Sequence, residues 1–154
     1  MTSFPVISLL IVLSHFNISK VPMDGFELPK TWTKEFTISY SFKNIMGESR
    51  TELTISYDSC KYERYSRMNG HKKGVYVMTE VDRVEILEKM RELKVNNIKS
   101  EMRMEQVRDG WSESLSLGSH WIQGGYSGKM KEGDKEIFVL AHSWLTSFAE
   151  GKIK

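Results

Sequence analysis

The sequence predicts an antiparallel α+β domain in which about six or seven strands form one sheet and two amphipathic helices pack on it. Three observations support this fold class. Polar and apolar residues alternate in the segments FTISYSF and ELTISY, which is typical of strands with one solvated face. Two later segments repeat apolar residues at helical spacing. Tight-turn signals also outnumber connections of the strand–helix–strand kind.

The composition is that of one folded domain. The chain has 154 residues, of which 40% are hydrophobic and 27% charged, and this excludes a disordered chain or a repeat array. A chain of this length can fold without a metal or a disulfide, and its single cysteine, Cys60, has no internal partner. The formal charge of +2 is too small to indicate a nucleic-acid partner, so none is expected.

The first nineteen residues differ from the rest of the chain, since they contain no Asp, Glu, Lys or Arg. Their apolar run, residues 6–13, suits the core of a signal peptide and is shorter than the roughly 20 residues that span a bilayer. We therefore expect a signal peptide at 1–19, a periplasmic or secreted location, and no transmembrane helix in the mature chain. The alternative is a buried N-terminal strand in a cytoplasmic protein, because Val, Ile and Phe also favour strands.

Residues 20–35 hold two of the three prolines, which indicates a linker or an irregular lead-in to a single α+β domain at 36–151. Two strands with one buried face follow. Their buried positions are predicted to be Phe36, Ile38, Tyr40 and Phe42 in the first strand, and Leu53, Ile55 and Tyr57 in the second. After the segment CKYERYSRM, the strong tight-turn signal Asn69–Gly70 begins a polar link, NGHKKG, that leads into a further strand at 75–78.

A helix is predicted after Thr79, whose side chain can cap the first turn with Asp82 as its reciprocal partner. Its apolar stripe is expected to contain Val81, Val84, Leu87, Met90 and Leu93. A second helix is predicted from Asp134 as the cap to Gly151 as the terminator. Its apolar positions are Ile137, Leu140, Ala141, Trp144, Leu145 and Phe148, and His142 is expected to be solvated because it lies off that stripe.

Tight turns are predicted at Asp109–Gly110 and at Gly118–Ser119, which would join a strand at 98–108 to two following strands and fix their register. In that register one face is apolar and holds Met102, Met104, Leu115, Leu117 and Ile122. The other face holds Arg103, Trp121 and Gln123 among serines. The glycines at 110 and 118 are interpreted as turn residues, and those at 124, 125 and 128 as a bulge or a close approach by another backbone.

No pattern in the sequence predicts catalytic residues, a cofactor or a metal. The glycines at 124–128 lack the lysine and serine of a phosphate-binding loop and are followed by a polar connector. The four histidines have no ligand spacing, and no serine lies in a G-x-S-x-G turn. Cys60 is expected to be a structural cysteine.

Two surfaces are candidates for binding. The first is a basic hairpin in which cations alternate with aromatic side chains, an arrangement that can hold an anionic glycan, lipid headgroup or small molecule. Its candidate residues are Tyr62, Arg64, Arg67, Lys72 and Lys73, and the alternative is a charged edge that blocks aggregation. The second surface is the polar sheet face with Arg103, Trp121 and Gln123, although burial of Trp121 under a helix is expected.

The layout resembles that of small, uncharacterised exported bacterial proteins. The resemblance covers about residues 36–148 and lies in the paired strands FTISYSF and LTISYDSCKYERY, the helix in TEVDRVEILEKMRELKVNNIKS, and VRDGWSESLSL followed by the helix around HSWLTSF. It implies a periplasmic or cell-envelope domain with no assigned activity.

The predicted function is therefore that of a non-catalytic binding or interaction module of the bacterial cell envelope. Its partner would be a protein, or an anionic small molecule or glycan. Two alternatives stay open: a hydrolase or transferase whose site is assembled only in three dimensions, and a structural or assembly subunit that uses an exposed aromatic patch.

Overall fold

The computed structural model describes residues 25–44, 47–102, 110–126 and 128–153, and in these ranges it confirms an antiparallel α+β fold. The elements are β1 (Ile38–Asn44), β2 (Ser49–Ile55), β3 (Ser59–Ser66), β4 (Gly70–Val77), α1 (Glu80–Glu92), a 3₁₀ turn (Val95–Asn97), β5 (Ser100–Met102), β6 (Trp111–Leu117), β7 (His120–Gly125), β8 (Gly128–Met130) and α2 (Glu132–Lys152). The helices described here lack the combined length and hydrophobicity needed to cross a membrane.

Six strands form the main sheet in the order β4-β3-β2-β1-β6-β7, and every neighbouring pair is antiparallel. The strands β5 and β8 form a separate two-stranded sheet beside β7. The alternation predicted for the first strands is confirmed, because Ile38, Tyr40, Leu53 and Ile55 are buried on one face of the main sheet. The turn at Asn69–Gly70 is also confirmed, since Gly70 has a φ of +76°. The predicted polar link after it is wrong, because β4 begins at Gly70 and pairs with β3 as far as Val77.

The predicted turn at Gly118–Ser119 is confirmed, whereas Asp109 of the second predicted turn lies outside the described residues. Leu117 lies opposite His120, and Gly118 has the positive φ of +58° that the turn requires. The other edge of β6, however, pairs along its whole length with β1, from Ile38 opposite Leu117 to Asn44 opposite Trp111.

A strand is present at Ser100–Met102, within the predicted range 98–108, but its predicted pairing with β6 is wrong. Met102 pairs with Gly128 of β8, away from Leu117. The physical reason is a long-range match: the apolar and serine positions of β1 alternate in step with those of β6. The predicted partner Met104 lies outside the described residues.

Both helices pack on the apolar face of the main sheet. The capping box predicted at Thr79 and Asp82 is present in α1. The apolar stripe predicted for α1 is wrong at its start, since Val81 is 74% exposed and Val84 is 48% exposed. The buried positions are Asp82, Ile86, Leu87 and Met90, because spacings of three and four residues place these side chains on one helical face.

The long helix α2 crosses the sheet from β7 to β4. Near its start the Phe138 ring lies over Gly124, and at its end Ile153 lies against Gly74. Two boundaries differ from the prediction: Lys131 is the N-cap, with Asp134 in the first turn, and the helix continues through Gly151 to Lys152. Leu140, which was expected in the apolar stripe, is 50% exposed.

The irregular lead-in packs against the core. Residues 25–35 contain neither helix nor strand, as expected, and β1 begins at Ile38, two residues after the predicted start at Phe36. Trp32 is nevertheless buried, and its indole N–H donates to the Phe36 carbonyl at 2.8 Å. Arg91 of α1 holds the segment by donating to the carbonyls of Pro29 and Lys30.

The opposite face of the main sheet is polar, and neither α1 nor α2 packs on it. Serines occupy the neighbouring rows of β1 and β6 on this face: Ser39, Ser41, Ser112, Ser114 and Ser116. Trp121 lies on the same face opposite Ser116 and is 45% exposed. The expected burial of Trp121 under a helix is therefore wrong, because both helices bury the face that carries Leu115 and Ile122.

Candidate binding site

A cavity of about 620 Å³ lies where the end of the main sheet meets the first half of α2. Its volume is in the range that small-molecule pockets occupy. Its lining includes Trp111, Glu113, Tyr126, Met130, Phe138 and His142. A smaller cavity of about 360 Å³ lies between α1 and the lead-in. There Arg83 and Arg91 are already bonded to backbone carbonyls, so the larger cavity is the stronger candidate.

Gly125 and Gly128 line the larger cavity, and Gly124 precedes them in β7. A side chain at Gly124 would collide with the Phe138 ring, whose Cζ atom would be 2.6 Å from the new carbon atom. A side chain at Gly128 would collide with the backbone, since the carbonyl carbon of Gln123 would be 2.6 Å from it. Gly125 has a φ of +66°. The prediction of a close backbone approach is thus confirmed at Gly128.

Glu113 is a carboxylic acid on the helix-covered face of β6. It lies opposite Phe42 of β1 and Gly124 of β7, and its side chain is 13% exposed. Burial raises the pKa of Glu113, and a hydrogen bond from the side chain of Trp111 opposes this rise without cancelling it. A carboxyl group with a raised pKa at a cavity wall is typical of functional sites, although structural networks also produce one.

His142 faces Glu113 from α2. Its ring stacks on Tyr40 with 4.8 Å between centroids and meets the edge of Phe138 at 5.1 Å. The expectation of a solvated His142 is wrong, since its side chain is 16% exposed. The helix is rotated so that Phe138, Ala141 and Leu145 face the sheet, which carries His142 to the edge of the buried surface.

The separation of the two groups matters for their chemistry. Nε2 of His142 lies 3.8 Å from Oε2 of Glu113, which is too long for a direct hydrogen bond. One further polar atom can nevertheless lie about 2.8 Å from both, a normal hydrogen-bonding distance. Burial lowers the pKa of His142 to about 4, so the imidazole is neutral at pH 7. The pair can therefore offer both hydrogen-bond donors and acceptors to a bound group.

We expect His142 to titrate far below the ordinary imidazole value of 6.5, with a midpoint near pH 4. Because its pKa is lowered in the folded state, its contribution to stability is present above pH 6.5 and is lost as the pH falls toward 4. NMR titration of the imidazole carbon-bound protons, assigned with a His142→Phe variant, measures this midpoint. A midpoint at or above 6.5 would instead show an imidazolium paired with ionised Glu113.

Aromatic side chains line the same cavity. Trp111 and Tyr126 meet edge to face, with 4.4 Å between centroids, and both are partly exposed. Val139 and Met130 add aliphatic surface from α2 and β8. The charged lining residues have mixed signs, since they include Lys129, Glu132 and Lys135. The lining favours a ligand with a flat apolar body.

The basic hairpin does not form one surface, because neighbouring residues of a strand point to opposite faces. Tyr62 is buried and donates to Oε1 of Glu150 in α2 at 2.5 Å. Arg64 pairs with the same carboxylate at 2.6 Å, and Lys72 donates to the Glu150 carbonyl at 3.5 Å. These three predicted site residues tie the end of α2 to the sheet.

The other two residues of the hairpin lie elsewhere. Lys73 is on the open polar face, 3.9 Å from Glu63, and Glu63 is also bonded to Arg50 and His71. Arg67 lies in the turn, and its 3.6 Å ion pair with Glu48 is exposed.

The two described candidates on the polar sheet face differ in exposure. Gln123 is buried, and its amide nitrogen donates to Ser112 at 3.1 Å, while its backbone N–H donates to Ser100 at 2.8 Å. Trp121 is exposed two residues away. Arg103 lies outside the described residues, so the Arg103–Trp121 stack stays a prediction.

Sequence reasoning missed Glu113 and His142 as a pair. One signal was available: in WSESLSL, Glu113 has the same strand parity as Leu115 and Leu117, so a carboxyl group lies on the apolar face. The contact with His142 had no local signal, since the two residues are 29 positions apart in the chain (142 − 113).

Cys60 is fully buried, and burial, with a smaller effect of Asp82, raises its pKa to about 11, as expected for a structural thiol. Across the described ranges, no group of three or more His, Cys, Asp or Glu side chains is arranged to hold a metal ion.

The chain matches no protein-family model, and it matches none of the curated proteins with which it was compared.

Proposed function

We propose that this protein is a binding module that holds a small ring compound in the cavity between β6, β8 and α2. The observation that carries the proposal is the position of Glu113 and His142 beside the aromatic walls of a cavity of about 620 Å³. A mainly apolar pocket with a few convergent polar groups is the usual form of a small-molecule site. The non-catalytic function predicted from the sequence is thus retained, with a different site.

The surfaces predicted from the sequence support binding less well. Three residues of the basic hairpin are bonded to Glu150, so their side chains are occupied in holding α2. The open sheet face presents Trp121, but its neighbour Gln123 is buried. A structural or assembly role for that face stays a prediction.

Export to the cell envelope also stays a prediction. It depends on the composition of residues 1–19, which lie outside the described residues, and on the resemblance to small exported bacterial proteins. A ligand taken up from outside the cytoplasm would suit an exported binding module. The hydrolase or transferase alternative stays open as well, because a carboxyl group and an imidazole can exchange protons with a bound substrate.

The proposal is tested by NMR titration with naphthalene as the probe. The chain has four tryptophans, so the indole N–H signals report on four places in one spectrum. Trp111 lines the cavity, Trp121 lies on the open face, and Trp32 lines the smaller cavity beside α1. We expect the Trp111 signal to shift with saturation, while the Trp121 and Trp32 signals stay in place.

A pair of variants on α2 serves as the control. Val139 lines the cavity, whereas its equally exposed neighbour Leu140 does not. We expect Val139→Phe to weaken binding of naphthalene several-fold by filling the cavity, and Leu140→Phe to leave it unchanged. A Trp111 signal that does not respond to the probe, or equal effects of the two variants, would contradict the proposal.

A further inference from the structure

We infer that the ligand of this cavity carries a hydroxyl group on its ring and that Glu113 and His142 hold this hydroxyl between them. The inference rests on the proposed function, since it names the chemistry of the ligand that the cavity binds. It follows from the separation of the two side chains, their burial and the aromatic walls beside them.

The geometry selects one bridging polar atom. The 3.8 Å gap between Glu113 and His142 is too wide for a direct bond, while an atom placed about 2.8 Å from each would bond to both. A hydroxyl group can bond to both side chains, because its O–H donates one hydrogen bond and its oxygen accepts others. It can accept from a protonated Glu113 while it donates to His142, or donate to Glu113 while it accepts from His142.

The charges around the gap favour a neutral ligand. Burial disfavours the charged form of Glu113 and of His142 alike. An ammonium ligand would require ionised Glu113 as its counter-charge. A carboxylate ligand would be repelled by the oxygens of Glu113. The other charged lining residues are two lysines and one glutamate, Lys129, Lys135 and Glu132, and all three are exposed, so solvent screens their charges from the ligand.

The walls on both sides of the gap accept a ring. Trp111 donates to Glu113 and also meets Tyr126, so one aromatic pair adjoins the carboxyl group. On the other side Phe138 touches the ring of His142. A ring that fills this space places a hydroxyl substituent at the gap between the two side chains.

The test compares four probes that share one ring system: naphthalene, 2-naphthol, 2-naphthoate and 2-naphthylmethylammonium. Dissociation constants are measured at pH 7 from the Trp111 indole shift of the full chain. Since each hydrogen bond contributes about 0.5–1.5 kcal/mol and about 1.4 kcal/mol is tenfold in affinity, we expect 2-naphthol to bind about tenfold more tightly than naphthalene. Both charged probes should bind more weakly than 2-naphthol.

Two variants identify the groups that hold the hydroxyl. His142→Phe preserves the aromatic stack on Tyr40, and Glu113→Leu preserves much of the side-chain volume. In each variant we expect the tenfold preference for 2-naphthol over naphthalene, with both dissociation constants measured on that variant, to fall to about twofold or less. If either variant fails to fold, the comparison of the four probes on the unaltered protein still decides the matter.

The outcomes separate the two proposals. Equal affinities for naphthalene and 2-naphthol, or tighter binding of a charged probe, would overturn the hydroxyl inference while the cavity stays a binding site. An unchanged preference for 2-naphthol in both variants would overturn it as well. Failure of all four probes to shift the Trp111 signal would overturn the inference together with the proposed function.

Discussion

Replacement of Asp82 by alanine is expected to destabilise the fold by about 3 kcal/mol, the lower end of the cost of breaking a buried ion pair. Asp82 is 2% exposed and connects three elements. Its carboxylate accepts from the backbone N–H and the hydroxyl of Thr79, at 2.9 and 2.6 Å, and from the hydroxyl of Tyr76 at 3.1 Å. Lys152 at the end of α2 completes the set at 2.7 Å. Alanine would leave all these donors without their acceptor.

Chemical denaturation of the purified variant measures the loss. Glu88→Ala is the matched control, because Glu88 is an exposed acidic residue of the same helix, and we expect it to change the free energy of unfolding by about 0.5 kcal/mol or less. A loss below about 1 kcal/mol for Asp82→Ala would show that the connection between α1 and α2 contributes little to stability.

Protonation of the Asp82 carboxylate is expected to lower the free energy of unfolding at acidic pH. Burial alone would raise the pKa of Asp82, but hydrogen bonds from Lys152, Thr79 and Tyr76 outweigh it and lower the pKa to about 2 from 3.8. Because the folded-state pKa is lowered, the stabilisation is present above pH 4 and is lost as the pH falls toward 2. At about 1.4 kcal/mol per pKa unit it amounts to about 2 kcal/mol. The difference in stability between wild type and Asp82→Asn should narrow over that interval.

Replacement of Gly128 by alanine is expected to destabilise the fold by about 2 kcal/mol, a typical cost of overpacking. The added carbon would lie 2.6 Å from the carbonyl carbon of Gln123 and 2.9 Å from Cα of Gly124. Both are backbone atoms, so β8 would have to move away from β7 and the wall of the cavity would shift. Binding of naphthalene should therefore weaken together with stability.

The control for Gly128→Ala is the same substitution in α2. Gly151 has no atom within 4 Å of an added carbon and lies inside the helix. Because Gly151 lies in the last turn of α2, Gly151→Ala should stabilise the protein by about 0.5 kcal/mol, the lower end of the difference in helix propensity between alanine and glycine. Thermal unfolding of both variants gives the comparison, and a stabilising effect of Gly128→Ala would contradict the described contact between β7 and β8.

Local signals in the sequence were sufficient where neighbouring residues determine the structure. Thr79 and Asp82 form a capping box three residues apart, and Gly118 supplies the positive φ that its hairpin needs. The alternation of Ile38 and Tyr40 with serines identified the buried face of β1. These features require only the residues on either side of them.

Features that depend on distant partners could not be predicted in this way. The pairing of β1 with β6 joins segments that lie on opposite sides of α1 in the chain. In this arrangement β1 occupies the edge of β6 that was predicted to pair with the strand at 98–108. The rotation of α1 depends on Asp82, which is buried only because Lys152 and Tyr76 reach it. Hydrophobic spacing alone favoured Val81 instead.

The candidate site also depends on residues that are distant in the chain. Glu113 was visible as a charged residue on an apolar face, but its role depends on the position of α2, which brings His142 to within 3.8 Å. The composition of the basic hairpin predicted a binding surface, but neighbouring residues of its strands point to opposite faces, so its side chains form no single surface. Composition therefore identified charges, whereas only the packing of α2 identified a cavity.

The most direct test of the ligand site is the isotope-filtered NOE spectrum of the labelled protein with unlabelled 2-naphthol. The proposed site predicts NOEs from the ring protons of the probe to the methyl groups of Met130 and Val139 and to the ring of Trp111, all of which line the cavity. NOEs to Trp121 or to Val75, which lie at the two edges of the open sheet face, without NOEs to the cavity residues would place the ligand on that face and contradict the proposed site.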